Sequence, residues 1–111
     1  MLARPSRLHR PAEFRLATRS GRRVSAAGLV LHAHREPAEA APKVGFVVGK
    51  VVGPAVTRNQ VRRRLQHLVA ARLGELPAGA RLVVRATPAS AGRSSAALGE
   101  SLDAALAKAY R

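Results

Sequence analysis

Cysteine and tryptophan are absent from this chain, and acids are scarce: six Asp and Glu stand against twenty Lys and Arg among 111 residues. Without cysteine there is no disulfide framework and no thiolate metal site. Four scattered histidines and six scattered acids supply no nucleophile with a base and an orienting partner, which argues against a hydrolase that works through its own side chains. Glu36 with Glu39 and Glu100 with Asp103 fall at short spacing, yet neither pair has a histidine or a glycine-rich pocket beside it. Gly45, Gly49 and Gly53 lack the lysine-serine ending of a phosphate loop. No apolar run approaches the roughly 18 residues of a membrane span, and the N-terminus lacks the apolar core of a signal peptide. A cytoplasmic protein without a membrane partner is therefore expected.

What the chain has in excess is positive charge, +14 at neutral pH, which implies a polyanionic partner. All of the basic residues but Lys43, Lys50 and Lys108 are arginine, whose guanidinium fork suits phosphates and base edges. The length suits one domain with one modest core.

The chain is organised around the stretch from Lys43 to Leu68, where an apolar strand turns into a basic helix. Val44 to Val48 is a short β-branched run of strand type. Gly49 and Gly53-Pro54 punctuate it. From Ala55 the period changes: Val61, Leu65, Leu68, Val69 and Leu73 fall at i, i+4, i+7, i+8 and i+12, one face of an α-helix. Asn59, Arg62, Arg63, Gln66 and His67 fall on the opposite arc, Arg64 borders it, and Arg58 sits in the first turn. No acid occurs between Glu39 and Glu75, so no carboxylate within the helix answers these arginines. Such a face is either simply solvated or holds an outside anion; the absence of interleaved acids and the chain-wide charge favour nucleic acid.

Residues 1–10 read as a basic flexible arm and 11–111 as a single domain. Pro11 suits a first helical position, with Glu13 in the first turn and Gly21 at the end, so a helix over about 11–19 is predicted. Arg22 to Val24 starts a strand, Leu29 to His34 forms another after a break at Gly28, and residues 35–42 form a loop. His32 and His34 share one strand face, a spacing open to a two-ligand metal pair or to an exposed, RNA-facing pair; no third ligand is evident nearby. Residues 77–80 form a turn, and 81–86 a strand whose basic residues leave the core. The closing helix carries Leu98, Leu102, Leu106 and Tyr110 at i+4 steps. The order α-β-β-α-β-α, with room for one extra short strand, makes an α+β fold, an αββ(β)αβα sandwich of one sheet with helices.

These residues resemble the protein component of bacterial ribonuclease P. Lys43-Val44-Gly45-Phe46 is similar to that family's strand entry and Lys50 to the first lysine after it. Gly53-Pro54-Ala55-Val56 resembles its Gly-Asn-Ala-Val turn, Arg58-Asn59 opens its Arg-Asn-Arg motif, and Arg62-Arg63 matches its basic pair. Gln60, Gln66 and Val51 depart from family cations and Pro54 from the turn asparagine, which implies a looser hold on RNA. Where members often carry a second aromatic and a strand tyrosine, this chain has Thr18 and His32.

The resemblance implies a left-handed β-α-β crossover, against the general right-handed rule. It implies an enzymatic role in which the RNA subunit is the catalyst and holds the Mg2+, with none bound by the protein alone. The protein would bind that RNA and the 5′ leader of precursor tRNA, and no protein partner would be obligatory. Arg58, Asn59, Arg62, Arg63, Arg64 and His67 are the implied contacts to the RNA subunit. Phe14, Arg15, His32 and Lys50 are the implied contacts to the leader, although Phe14 equally suits a core position. A non-enzymatic RNA-binding protein of ribosomal type shares the size and charge. A DNA-binding helix-turn-helix is disfavoured, because the basic helix follows a strand.

Overall fold

Proline and glycine set the frame of the computed structural model, which describes residues 2–37 and 39–110. Pro11 opens helix α1 (Pro11–Ser20), with Glu13 in its first turn. At Gly21, just past its end, a Cβ would meet the Ala33 carbonyl of the sheet, so only glycine lets the chain turn this close to it. Strands β1 (Arg22–Ala26) and β2 (Leu29–Arg35) pair antiparallel. Their two-residue turn places Gly28 at φ 83°, a left-handed conformation that favours glycine.

Strand β3 (Lys43–Val47) leads through a helical turn at Lys50–Val52 into helix α2 (Ala55–Ala70). Strand β4 (Ala80–Ala86) and helix α3 (Ser95–Ala109) complete the fold. The sheet order is β1-β2-β4-β3, with β4 antiparallel to β2 and parallel to β3. A parallel pair needs a crossover, and here α2 is its body.

Strand alternation divides the sheet into two faces. Val24, Leu29, Leu31, Ala33, Val44, Leu82 and Val84 form the main core with Val61, Leu65 and Val69 of α2 and Leu98, Leu102, Ala105 and Ala109 of α3. The α2 stripe lies where its period predicts. On α3, steps of four residues overrun the helical turn by about 40° each, so Leu106 and Tyr110 drift to half-burial while Ala105 and Ala109 carry the contact. Ser94 caps α3 by accepting a hydrogen bond from the Ala97 N–H at 3.1 Å. The opposite face carries α1 over a smaller cluster of Leu8, Ala17 and Val83, edged by Phe14 and Val47.

Two expectations are corrected. The segment read as a flexible arm is packed: Leu2 and Leu8 are 2% and 6% exposed, and the Leu8 N–H donates to the Val44 carbonyl at 3.0 Å. Arg7 bridges to Val44 in parallel, so the segment runs along the open edge of β3 and covers it. Two leucines with hydrophobic pockets and an unpaired strand edge order it. Met1 and Arg111, the outer ends of the predicted arm and domain, lie outside the described residues. The second correction concerns β4, where Arg85 is exposed but Arg81 is 7% exposed. Arg81 donates to the Ala41 and Ala80 carbonyls at 3.2 and 2.9 Å and lies 3.9 and 3.8 Å from the carboxylates of Glu13 and Glu36. A buried guanidinium is tolerable because acids and carbonyls surround it.

Candidate nucleic-acid interface

Along α2 the buried stripe of Val61, Leu65 and Val69 forces the polar residues outward. Asn59, Gln60, Arg63 and His67 are exposed, and Arg58, Arg62 and Arg64 half-buried. The half-buried three are held in place. Arg58 Nε donates to the Gly53 carbonyl at 3.1 Å, closing the turn before the helix. Arg62 Nη1 donates to Asn59 Oδ1 at 3.1 Å, so two of the expected RNA-facing groups orient each other. Arg64 Nη1 donates to the Arg93 carbonyl at 2.7 Å, fastening α2 to the loop before α3.

Val56, Asn59, Gln60, Arg63 and Arg64 line a shallow depression on this helix. Among the described residues none of these arginines has a carboxylate partner. Val51 and Val56 stand 74% and 81% exposed beside Gly53-Pro54, so the basic surface ends in an apolar knuckle that the sequence pattern did not single out.

The second surface is the sheet face beside α1. Register sets Arg23, His32, Val83 and Gly45 in one row across β1, β2, β4 and β3, and Ser25, Val30, Arg85 and Val47 in the next. The Phe14 ring lies on Gly45, where any Cβ would collide with it. Phe14 is half-buried, packed against the smaller cluster as its core reading expects. Arg15 and Lys50 are exposed at either side. Thr18, in place of a second aromatic, turns its hydroxyl back to the Phe14 and Arg15 carbonyls at 3.0 and 3.1 Å.

His32 is 8% exposed, and among the described residues neither ring nitrogen has a hydrogen-bond partner. Burial, then the charges of Arg85 and Arg23, hold its pKa below the ordinary 6.5. Those two arginines were missed by the sequence analysis. The signal was available in strand alternation, which puts both on the face of His32.

Asp103, Glu13 and Glu36 are engaged by arginines outside α2. Asp103 of α3 accepts from Arg72 Nε and Nη2 at 2.6 and 3.2 Å, which holds its carboxyl below the usual range. Glu13 and Glu36 face Arg81. Among the described residues no three His, Asp or Glu side chains converge on a metal position. No helix is long and apolar enough to cross a membrane.

A family model described as Ribonuclease P matches residues 2–110. A ribonuclease P protein component from Salinispora tropica is 46% identical over 98% of this chain and 93% of its own length. One from Streptomyces bikiniensis is 47% identical over 96% and 93%. The solved Staphylococcus aureus RNase P protein superposes with TM-score 0.84 at 21% identity, covering 96% of this chain and 98% of its own. That from Thermotoga maritima gives 0.79 at 21%, covering 92% and 96%. At that identity the two structures speak for the fold.

Proposed function

The chain belongs to the ribonuclease P protein family, and from that premise we propose that α2 docks on the RNA subunit while the sheet face beside α1 holds the 5′ leader of precursor tRNA. Family membership carries the broader role directly: a protein component of a tRNA-processing endonuclease, partnered with an RNA subunit.

The observation that carries the two-surface reading is the distribution of uncompensated cations. Arg58, Asn59, Arg62, Arg63, Arg64 and His67 share the outer side of α2 without an acid among them, a surface suited to phosphates and RNA shape. Phe14, Arg15, His32 and Lys50 border a face with one aromatic ring over mostly buried valines, suited to a single strand held more by charge than by stacking. Catalysis, and the Mg2+ it uses, belong to the RNA subunit in this reading. The protein raises its affinity for substrate by binding the leader. The enzyme works in the cytoplasm with no obligatory second protein.

The test is cleavage of precursor tRNA by a bacterial ribonuclease P RNA at low magnesium, with and without the protein, over a series of leader lengths. Stimulation that grows with leader length is expected. Binding of the RNA without any effect on cleavage would replace this reading with that of a structured-RNA-binding protein.

A further inference from the structure

Neither RNA surface absorbs the basic stretch at the N-terminus, which holds Arg4, Arg7 and Arg10 and no acid before Glu13. Its backbone is fixed at both ends. Leu2 is buried in the main core cluster, with Val61, Leu65 and Val69 of α2, and Leu8 in the smaller cluster with Ala17 of α1. The segment therefore wraps the β3 edge from one face of the sheet to the other. Between the two leucines, Arg4–Ser6 makes a helical turn and Arg7 bridges to Val44. His9 Nε2 donates to the Arg4 carbonyl at 3.0 Å, which ties the two ends of the turn together.

Covering a strand edge accounts for the leucines and the backbone bond but not for the cations. Elsewhere arginines are committed: Arg35, Arg58, Arg64 and Arg81 donate to backbone carbonyls, and Arg72 grips Asp103. Arg4 and Arg10 are exposed and Arg7 is half-buried, and among the described residues none of the three has a carboxylate partner. Charges carried on an ordered backbone meet an anion with little ordering cost left to oppose binding.

The side chains say which anion. Residues 2–10 contain no Phe, Tyr or Trp on which a base could stack, and no Asn or Gln to read a base edge. Single strands are held by charge together with stacking platforms, whereas paired RNA is held through its shape and its phosphates. The position says which RNA, because the segment lies along β3, the strand that leads into α2, and Leu2 shares a core cluster with α2.

We propose that the N-terminal segment is a third RNA contact, in which Arg4, Arg7 and Arg10 hold phosphates of a paired segment of the RNA subunit. This rests on the reading of α2 as the RNA-subunit surface and carries that surface around the β3 edge. The contact adds affinity and salt dependence without reading sequence.

The experiment measures binding of the full chain to a bacterial ribonuclease P RNA across a salt series, beside Arg4→Gln/Arg7→Gln/Arg10→Gln. The variant is expected to bind at least about tenfold more weakly, with a log-log salt slope flatter by about two to three units, close to one per lost phosphate. Its urea midpoint should stay unchanged, since the leucines and the backbone bond remain; a lower midpoint with an unchanged slope assigns the arginines to the fold and overturns the contact. The chain has no native cysteine, so Ala3→Cys, at an exposed position, carries a single tethered iron-EDTA group. Strand scission in a paired segment of the RNA subunit is expected. Scission confined to bound precursor tRNA overturns the choice of RNA. Wild-type binding with affinity and slope equal to those of the triple variant overturns the third contact and spares α2. A wild-type chain that binds no RNA subunit overturns both.

Discussion

Gln60 stands exposed in the depression it shares with Arg63 and Arg64, where a cation could reach the same phosphates as its neighbours. Gln60→Arg is therefore expected to tighten binding to the RNA subunit and to steepen the salt dependence by about one unit of log-log slope; affinity titrated against salt checks it. Arg62→Ala should do the reverse, because a lost phosphate contact releases fewer counterions. It should also free Asn59, which Arg62 now orients. His32 predicts a pH effect on stability. Its pKa is lowered in the folded protein, so the unfolded chain binds the proton more readily. Its contribution is present above pH 6.5 and is lost as pH falls through the lower folded value. Urea midpoints should drop on acidification, and less so in His32→Gln.

At the scale of elements, the surface proposed for the leader depends on how closely α1 can approach the sheet. Gly45 leaves the space that the Phe14 ring fills, so Gly45→Ala should push α1 outward and weaken leader binding. Binding to the RNA subunit through α2 should be unchanged, and paired affinity measurements separate the two. Arg81 holds the other side of α1 through Glu13 while donating to Ala41 and Ala80. Arg81→Met should destabilise the fold by about 1–3 kcal/mol, measured by urea unfolding. The two elements were not equally legible in the sequence. The faces of α2 were readable because one-sided burial leaves a helical period in the residue types. The fate of Arg81 was not: strand alternation assigns it to a face but cannot say that α1, from far earlier in the chain, covers that end of it. For the same reason His32 was read as exposed, and the arginines that flank it from other strands were passed over.

At the scale of the molecule, charge is uneven along α2. Asp103 and Glu75 gather where α2 ends, around a cavity also lined by Arg72 and Tyr110, whose hydroxyl burial pushes up to about 12. The first turns of α2, about 20 Å away along the helix axis, carry no acid. The first turns of α2 are therefore the part of the helix whose positive charge is left for an outside anion. The segment before α1 belongs to the body too. Leu2→Ala with Leu8→Ala should cost roughly 2–5 kcal/mol per buried leucine, visible as a lower unfolding midpoint. An arm that served only to meet RNA would leave the midpoint unmoved.

The strand order has a consequence for how the protein is made. β4 is the inner strand that joins β2 to β3, and the N-terminal segment leans on β3. A growing chain must therefore reach residue 86 before its sheet can close. Until then β2 and β3 lack the strand that lies between them. Contacts of such long sequence separation are slow to form. A chain that stops before β4 carries the residues of α2 but not the closed sheet face beside α1.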